Sequence, residues 1–485
     1  MSRGDSIAAG VRSMPRLLVA GLSGDAGKTV VSLGVLWLLR RAGVEVRAFK
    51  KGPDYIDPSW LAWASAHPAR NLDTYLMDAD AVRTSFLAHG VTAGVNLVEG
   101  NRGLYDGFDA AGTHSSAALV RLLSIPVLLV VDATKTTCTA AALVLGCQHF
   151  DPRVSIRGVV LNNVSGGRHE SVLRASIETA CAIPVVGALP RRNTPPIPER
   201  HLGLIPPEEF GDTHQAGQSL LELVEGRLDL DAILTIARSA PPLETASAGL
   251  LPAPDAHGLR LGYVRDSAFS FYYPENLEAL ERAGAELVAL SALTAGDLPE
   301  GLHALYIGGG FPETHAQQLA ANAGFLRALR RASEEGLPIY AECGGLILLA
   351  QSLAWQGRRY AMAGVFPVDV ELLAKPQGHG YSELKVDAPN PFYAEGVVLR
   401  GHEFHYSRIR EDAVAMASAC RVLRGSGCGV GREFLVRGNT MGGYTHLHAV
   451  ATPEWAAGLI QAAREYARRR KPHVEDCHLV APAAQ

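Results

Sequence analysis

Between residue 17 and about residue 230, short, mostly apolar runs alternate with longer stretches whose apolar residues recur at helical spacing. The runs at 17–20, 45–49, 96–99, 127–131, 156–161 and 185–188 are predicted strands. Strands apolar on both faces and separated by helices imply a parallel sheet between two helical layers. The N-terminal half is therefore read as a doubly wound α/β domain. Its ligand should lie beyond the carboxyl ends of the strands, where Gly21, Lys50, Glu99 and Asp132 fall. From about Ala240 to Gly258 periodicity gives way to Pro, Ala and Gly, the composition of a linker. The alternation then restarts with 261–264, a helix over about 275–283, strands at 286–290 and 304–307, a helix through about 330 and a strand at 338–341. The predicted layout is a loose tail over 1–15, a first α/β domain over 16–240, a linker over 241–258, a second α/β domain over 259–469 and a Pro- and Ala-rich tail over 470–485.

Composition narrows the partners more than the fold. Of 485 residues, 47% are apolar and 19% charged, the balance of a globular enzyme. A formal charge of −4 and the lack of a Lys/Arg run argue against nucleic acid and favour a small substrate. No apolar run reaches the roughly 20 residues of a membrane span, and residues 1–15 lack the apolar core of a secretory leader, so no membrane partner and a cytoplasmic location are expected. Seven cysteines without a Cys-x-x-Cys pair argue against a disulfide framework and against a structural zinc site.

The first chemical signal is Gly21-Leu22-Ser23-Gly24-Asp25-Ala26-Gly27-Lys28-Thr29, directly after the apolar run at 17–20. A strand feeding a glycine-rich turn into a helix aims backbone N–H groups and the positive helix end at a triphosphate. Gly24 and Gly27 shape that turn, Lys28 reaches the outer phosphates, and the Thr29 hydroxyl is a magnesium ligand.

The second signal is Leu337-Pro338-Ile339-Tyr340-Ala341-Glu342-Cys343-Gly344-Gly345, a strand running into a glycine pair and an apolar helix. A residue at such a strand-to-helix elbow is held exposed, and the helix N-terminus is expected to lower a thiol pKa, so Cys343 is a candidate nucleophile. Upstream, Gly308-Gly309-Gly310-Phe311-Pro312-Glu313 offers the N–H groups of Gly309 and Gly310 as an oxyanion hole. Downstream, Tyr444-Thr445-His446-Leu447-His448 offers two histidines at strand alternation, expected to face the same side. His446 is the candidate base. His448 either supports it or is a polar loop residue.

The elbow with its glycine turn and Tyr444-Thr445-His446 resembles the class I-type glutamine amidotransferase domain of cobalamin-pathway amidases. The N-terminal half resembles the same enzymes in Lys51-Gly52-Pro53-Asp54-Tyr55-Ile56-Asp57-Pro58, Asn71-Leu72-Asp73, Glu99-Gly100-Asn101-Arg102-Gly103-Leu104-Tyr105-Asp106-Gly107 and Val131-Asp132. These match the cobyrinic acid a,c-diamide synthase family from about residue 16 to 468. The fold so implied is a P-loop NTPase-like, dethiobiotin synthetase-like domain followed by a glutamine amidotransferase α/β domain. The implied activity is amidation of side-chain carboxylates on a cyclic tetrapyrrole with ATP, Mg2+ and glutamine, through an acyl phosphate.

The resemblance also implies roles. Thr29, Asp54 and Glu99 would surround magnesium, Tyr55 and Ile56 would touch the tetrapyrrole, and Asp106 would serve the phosphorylated intermediate. Asn162 would read the adenine edge. Turn or cap duty is the alternative for Asp54 and Asp57, and strand-end capping for Asn162. Arg102, Arg191, Arg192 and Arg200 are candidate partners for the ring carboxylates, or simply solvated. Trp60-Leu61 and Asp25-Ala26 depart from the family pattern, which leaves the macrocycle open. Cobyrinate stands first, a siroheme or sirohydrochlorin amidase second, and a non-catalytic partitioning or scaffold protein third. The oligomeric state is also open, with a homodimer one option.

Overall fold

The computed structural model describes residues 10–192, 194–200, 203–244, 254–410 and 416–470. The chain packs as two units. The first takes in the chain to Pro252 together with Phe271–Leu277 and His448–Thr452, and the second holds Ala253–Ser270, Glu278–Leu447 and the chain from Pro453.

The first unit is built on a seven-stranded sheet in the spatial order Arg70–Leu72, Val46–Lys51, Val95–Gly103, Arg16–Gly21, Val127–Asp132, Ile156–Val164, Val185–Pro190. Every pairing is parallel. The six predicted runs are all strands of this sheet. Leu17, Val19, Leu97, Leu128, Val130 and Val160 pack with Val31, Leu36 and Leu39 of the helix Lys28–Arg41 and with Ile233 and Ile236 of the helix Leu230–Arg238 in one core. Covering both faces of the strands is what makes their central positions apolar. Val11–Arg12, expected in a loose tail, instead pair antiparallel with Leu243–Glu244. Beside them the buried Arg16 guanidinium donates to the carbonyl oxygens of Leu123, Met14, Ser124 and Pro241. Burial holds that guanidinium down at about 10. Residues 1–9 and 471–485 of the predicted tails, and residues 245–253 of the predicted linker, lie outside the described residues.

The second unit is α/β at one end and antiparallel at the other. Its ten-stranded sheet starts with the parallel strands Glu286–Leu290, Arg260–Val264, Ala304–Ile307, Ile339–Glu342 and Thr440–Gly443. It continues antiparallel through Arg432–Arg437, Ser418–Arg424, Gly378–Val386, Val398–His405 and His446–Leu447. The elbow therefore lies in the parallel half, and the strand bearing His446 pairs at the far edge. Among the described residues no helix is long and apolar enough to cross a membrane.

Candidate active sites

In the first unit the strand Arg16–Gly21 delivers the chain into the phosphate loop, and the helix Lys28–Arg41 has no acidic residue in its first turn. That leaves its positive end to an anion. Gly27 has φ 95°, and a Cβ there would stand 2.1 Å from Asn162 Nδ2, so both backbone and space require glycine. Asn162 donates Nδ2 to Ala26 O at 3.1 Å. The amide expected to read adenine is thus engaged in buttressing the loop. Lys28 Nζ donates to Ser23 O at 3.0 Å. Burial, and after it the charge of Lys50, pushes the Lys28 ammonium down.

Beside the loop lies a charge cluster that the sequence only partly disclosed. Lys50, 2% exposed at the end of its strand, approaches Glu99 Oε1 at 2.7 Å, pairs with Asp57 Oδ2 and stands 4.0 Å from Asp54 Oδ2. Burial alone would push the Lys50 ammonium down, but Asp57, Glu99 and Asp54 outweigh it and hold it well above its ordinary value. Burial pushes Asp54 up to about 7, helped by the neighbouring Asp57 and opposed by Lys50. About 29% of its side chain stays exposed. Asp54 Oδ1 also accepts from Ile56 N at 2.9 Å and Asp57 N at 3.2 Å, so it performs turn duty within the cluster. The signal for Lys50 was a charge at the carboxyl end of a buried strand. Asp57 was quoted within the family motif, with turn or cap duty as its alternative, and given no role of its own.

The donors here suit a hard cation. Thr29 Oγ1 donates to Glu99 Oε1 at 3.0 Å, while Glu99 Oε2 is buried without a hydrogen-bond partner. Among the described residues no three His, Cys, Asp or Glu side chains are arranged to cage a metal. Oxygen donors in this number fit magnesium, which is usually held by one or two carboxylates, phosphate oxygens and water.

The Tyr55 ring stacks on Phe271 at 5.2 Å and lies 4.6 Å from Tyr273, and Ile56 begins the helix Ile56–Ser65. Asp106 Oδ2 accepts from Gly103 N at 2.9 Å, where Leu104 N donates to Gly21 O at 2.8 Å, so Asp106 stands at the phosphate-loop end of its strand. Of the four arginines, Arg102 lines a cleft with Asp106, and Arg191 lines a smaller one of about 300 Å³ with Lys135 and His169. Arg192 donates to Ser219 O at 3.0 Å, and the Arg200 side chain lies outside the described residues.

In the second unit Cys343 sits between the strand Ile339–Glu342 and the helix Gly344–Leu349 with φ 48° and ψ −98°. A non-glycine residue held there marks a strained elbow. The elbow is clamped from both sides. Cys343 N donates to Gly443 O at 2.7 Å, and Cβ atoms at Gly344 and Gly345 would stand 3.1 Å from Gly310 N and 2.5 Å from Ile307 O. Only glycines let the helix lie this close to the Gly308-Gly309-Gly310 turn, so Gly310 N stands beside the elbow as expected of an oxyanion donor.

Three expectations fail here. Cys343, expected to be held exposed, is buried. The Cys343 thiol is pushed up to about 12, not lowered. Burial is the main cause and Glu313 the next, and the Gly344 N–H at the helix end recovers only part of it. The two histidines also part company, because the strand His446–Leu447 stops before His448. His448 Nδ1 accepts from Val450 N at 3.2 Å, its ring lies 4.5 Å from Tyr273, and its Nε2 faces Glu275 Oε2 at 3.6 Å. His446 has different company: its Nδ1 is 3.3 Å from Glu342 Oε2, with the His402 ring 5.1 Å away. Glu342, absent from the sequence candidates, also accepts from Tyr306 Oη at 3.0 Å and Leu447 N at 3.2 Å. A carboxylate on Nδ1 keeps the proton there and leaves Nε2 as the basic nitrogen.

Comparison with known proteins agrees with both halves. Residues 17–204 match the profile of a CobQ/CobB/MinD/ParA nucleotide binding domain, and residues 260–453 that of a CobB/CobQ-like glutamine amidotransferase domain. A cobyrinate a,c-diamide synthase of Magnetococcus marinus is 42% identical over 457 residues, 93% of this chain and 98% of its own. Another, of Dehalococcoides mccartyi, is 39% identical over 461 residues, 94% and 99% of the two chains. A third, of Archaeoglobus fulgidus, is 37% identical over 451 residues, 93% and 98%. A nucleotide-binding P-loop domain and a glutamine amidotransferase domain in one chain define a glutamine-dependent amidating ligase. Within that class, the chain belongs to the cobyrinate a,c-diamide synthase family.

Proposed function

We propose that this ligase amidates peripheral carboxylates of a cyclic tetrapyrrole, converting cobyrinate to its a,c-diamide with ATP and glutamine. The observation that carries the reading is the pairing, in one chain, of a phosphate loop beside the Lys50–Glu99 cluster with a strained cysteine elbow whose neighbouring carboxylate takes the candidate histidine. A carboxylate does not condense with ammonia in water, so it is first phosphorylated by the γ-phosphoryl of ATP. Ammonia then attacks the acyl carbon, and phosphate leaves. This first step is mostly positioning and charge neutralisation, which falls to Lys28 and the helix N-terminus at Lys28–Arg41. Thr29, Asp54 and Glu99 would hold a magnesium ion, which would supply further neutralisation of phosphate charge. Asp106 handles the phosphorylated intermediate, and Tyr55 and Ile56 contact the macrocycle. Lys50 keeps the buried Glu99 and Asp57 paired.

Ammonia comes from glutamine. His446 Nε2 takes the Cys343 proton as sulfur attacks the carboxamide, the N–H groups of Gly309 and Gly310 hold the oxyanion, and the proton passes to the leaving ammonia. Water then cleaves the glutamyl thioester, returning the thiol and releasing glutamate. Glu342 orients His446 throughout.

The test is mass spectrometry of products after incubation with cobyrinate, sirohydrochlorin or siroheme, plus ATP, magnesium and glutamine. The expected product is cobyrinate carrying two carboxamides, with two glutamines consumed. A single amide on a siroheme-type macrocycle, or no amide on any, overturns the reading.

A further inference from the structure

The Cys343 and His446 pair of the second unit hangs on a short segment, Gly443-Tyr444-Thr445, that takes no part in the steps above. Gly443 ends the strand Thr440–Gly443, and its carbonyl oxygen accepts from Cys343 N at 2.7 Å. Thr445 immediately precedes His446. The same three residues therefore place the backbone of the nucleophile and the start of the strand that bears its base. The grip on them comes from the neighbouring strand Arg432–Arg437. There Glu433 Oε1 accepts from Tyr444 N at 2.6 Å and from Thr445 N at 2.7 Å. Glu433 is fully buried; burial pushes its carboxyl up, and the Thr445 N–H draws it part of the way back.

The next residue, Phe434, is held at φ 58° inside that strand. A bulky side chain in the left-handed region is strained, and the strain persists only where the surroundings impose it. What it accompanies is a close fit. A Cβ on Gly443 would stand 2.5 Å from Glu433 Oε1 and 2.6 Å from Phe434 Cδ1. Carboxylate and ring form a saddle that only a glycine can enter, so Gly443 has one place to lie. Tyr444 is held again by the His405 ring, which stacks on it at 3.7 Å with 6° between the planes. His405 is itself fixed, its Nδ1 2.7 Å from Ser407 O.

We propose that Glu433 is a positioning residue for glutamine hydrolysis: its acceptor oxygen, seated beside the strained Phe434, fixes Gly443-Tyr444-Thr445 and with it the approach of His446 to the Cys343 thiol. The inference rests on the Cys343 and His446 pair of the proposed function and adds the group that sets their spacing. Proton transfer needs the two heavy atoms within about 2.6–3.2 Å, and a shift of about 1 Å can cost on the order of 10²-fold. The segment uses the oxygen and not the charge. Two N–H donors need an acceptor, whereas the negative charge of Glu433 adds to those of Glu313 and Glu342 in keeping Cys343 protonated. A neutral amide oxygen in the same place should therefore serve.

The experiment is steady-state amidation by the full chain with cobyrinate and ATP saturating, at varied glutamine and separately at varied ammonium, for wild type, Cys343→Ala, Glu433→Gln, Glu433→Asp and Glu433→Ala. Glu433→Gln keeps an oxygen in place and should hold its glutamine-supported kcat within about threefold of wild type. Glu433→Asp keeps the charge but withdraws the oxygen by one methylene and should lose about tenfold, and Glu433→Ala on the order of 10²-fold. The KM for glutamine and the ammonia-supported kcat should stay within about twofold in all three. The order of the variants decides. A role for the charge puts Glu433→Asp above Glu433→Gln, and that order overturns the inference even where Glu433→Ala fails to fold. So does an undiminished kcat in Glu433→Asp, or an equal loss with ammonia, which would make Glu433 a support of the fold alone. Glutamine-supported activity that survives Cys343→Ala sinks the proposed reading of the elbow itself, whereas activity lost in Cys343→Ala and kept in Glu433→Asp sinks only the role of Glu433.

Discussion

Glu342 Oε2 lies 3.3 Å from His446 Nδ1, and Glu342 is the residue immediately before Cys343. One stretch of backbone therefore carries both the candidate nucleophile and the group that orients its base. Tyr306 Oη and Leu447 N fix that carboxylate from two further strands, so its aim at His446 is set by the sheet.

Glu342→Gln keeps the shape but can present an N–H to Nδ1, which favours the tautomer with its proton on Nε2 and removes the base. Glutamine-supported amidation should fall about 10²-fold or more, while ammonia-supported amidation stays within about twofold of wild type. The comparison of kcat with the two nitrogen sources at one macrocycle concentration decides it. Equal losses with both would show that Glu342 acts only by holding the fold.

Cys343→Ala extends the same division. Activity with glutamine should vanish and activity with ammonium salts should persist, whereas Lys28→Ala or Glu99→Ala should lose both. A cysteine variant inactive with ammonia, yet melting like wild type, would contradict two separable sites.

The thiol, pushed up to about 12, makes a further claim on the ligand-free enzyme. The thiolate is the nucleophile, so the alkylation rate at Cys343 should climb about tenfold per pH unit from 7 to 10 without a plateau. Peptide mapping after iodoacetamide separates Cys343 from the exposed Cys138. A plateau below pH 8 would mean a preformed thiolate and a different electrostatic environment at the elbow.

Much of this was legible in the chain because burial writes itself into sequence. Strands covered on both faces, such as Val127–Asp132, are apolar up to their last residue, and the glycines at 27, 344 and 345 stand where a Cβ would crowd Asn162, Gly310 or Ile307. The antiparallel half of the second sheet was not legible. Strands such as Gly378–Val386 are only half covered, and their mixed residues carry a weak signal. Glu342 was absent from the candidates, and Lys50 was placed at the ligand end of its strand without a role, for a related reason. Each is a charged residue near the carboxyl end of its strand, and their partners, His446 and Glu99, are distant in sequence and adjacent only after pairing. His448 misled because alternation was extended past a strand that ends at Leu447.

Asp54 links the site to pH. Its folded value of about 7 stands above the ordinary 3.8, so between those values the folded chain binds more protons than the unfolded one, and stability falls as pH rises through that window. Asp54→Asn should remove that slope and gain on the order of 1 kcal/mol at pH 8, ~2–4 °C in the melting of its unit. A magnesium ion held at Asp54 as proposed would displace the proton, so calorimetry with ATP present should show proton release on metal binding at pH 6.5 that disappears by pH 8.5 and is absent in Asp54→Asn. Release that persists in the variant would assign the proton to another group.

The elbow offers two substitutions one residue apart with opposite expected signatures. At Gly345 an added Cβ would stand 2.5 Å from Ile307 O, a backbone atom in the centre of the parallel strands that cannot retreat. Gly345→Ala should therefore lift the helix Gly344–Leu349 off the sheet, costing about 1–3 kcal/mol and lowering the melting temperature of the second unit. At Gly344 the nearest atom would be Gly310 N at 3.1 Å, a contact that a shift of a few tenths of an ångström relieves. That shift moves the amide expected to hold the oxyanion. Gly344→Ala should thus melt close to wild type yet lose ~10- to 100-fold in glutamine-supported kcat, with ammonia-supported activity kept. Thermal melting and the two nitrogen sources, measured side by side, separate a clash with the scaffold from a displaced catalytic donor. If Gly344→Ala instead matched wild type with glutamine, Gly310 would not be that donor.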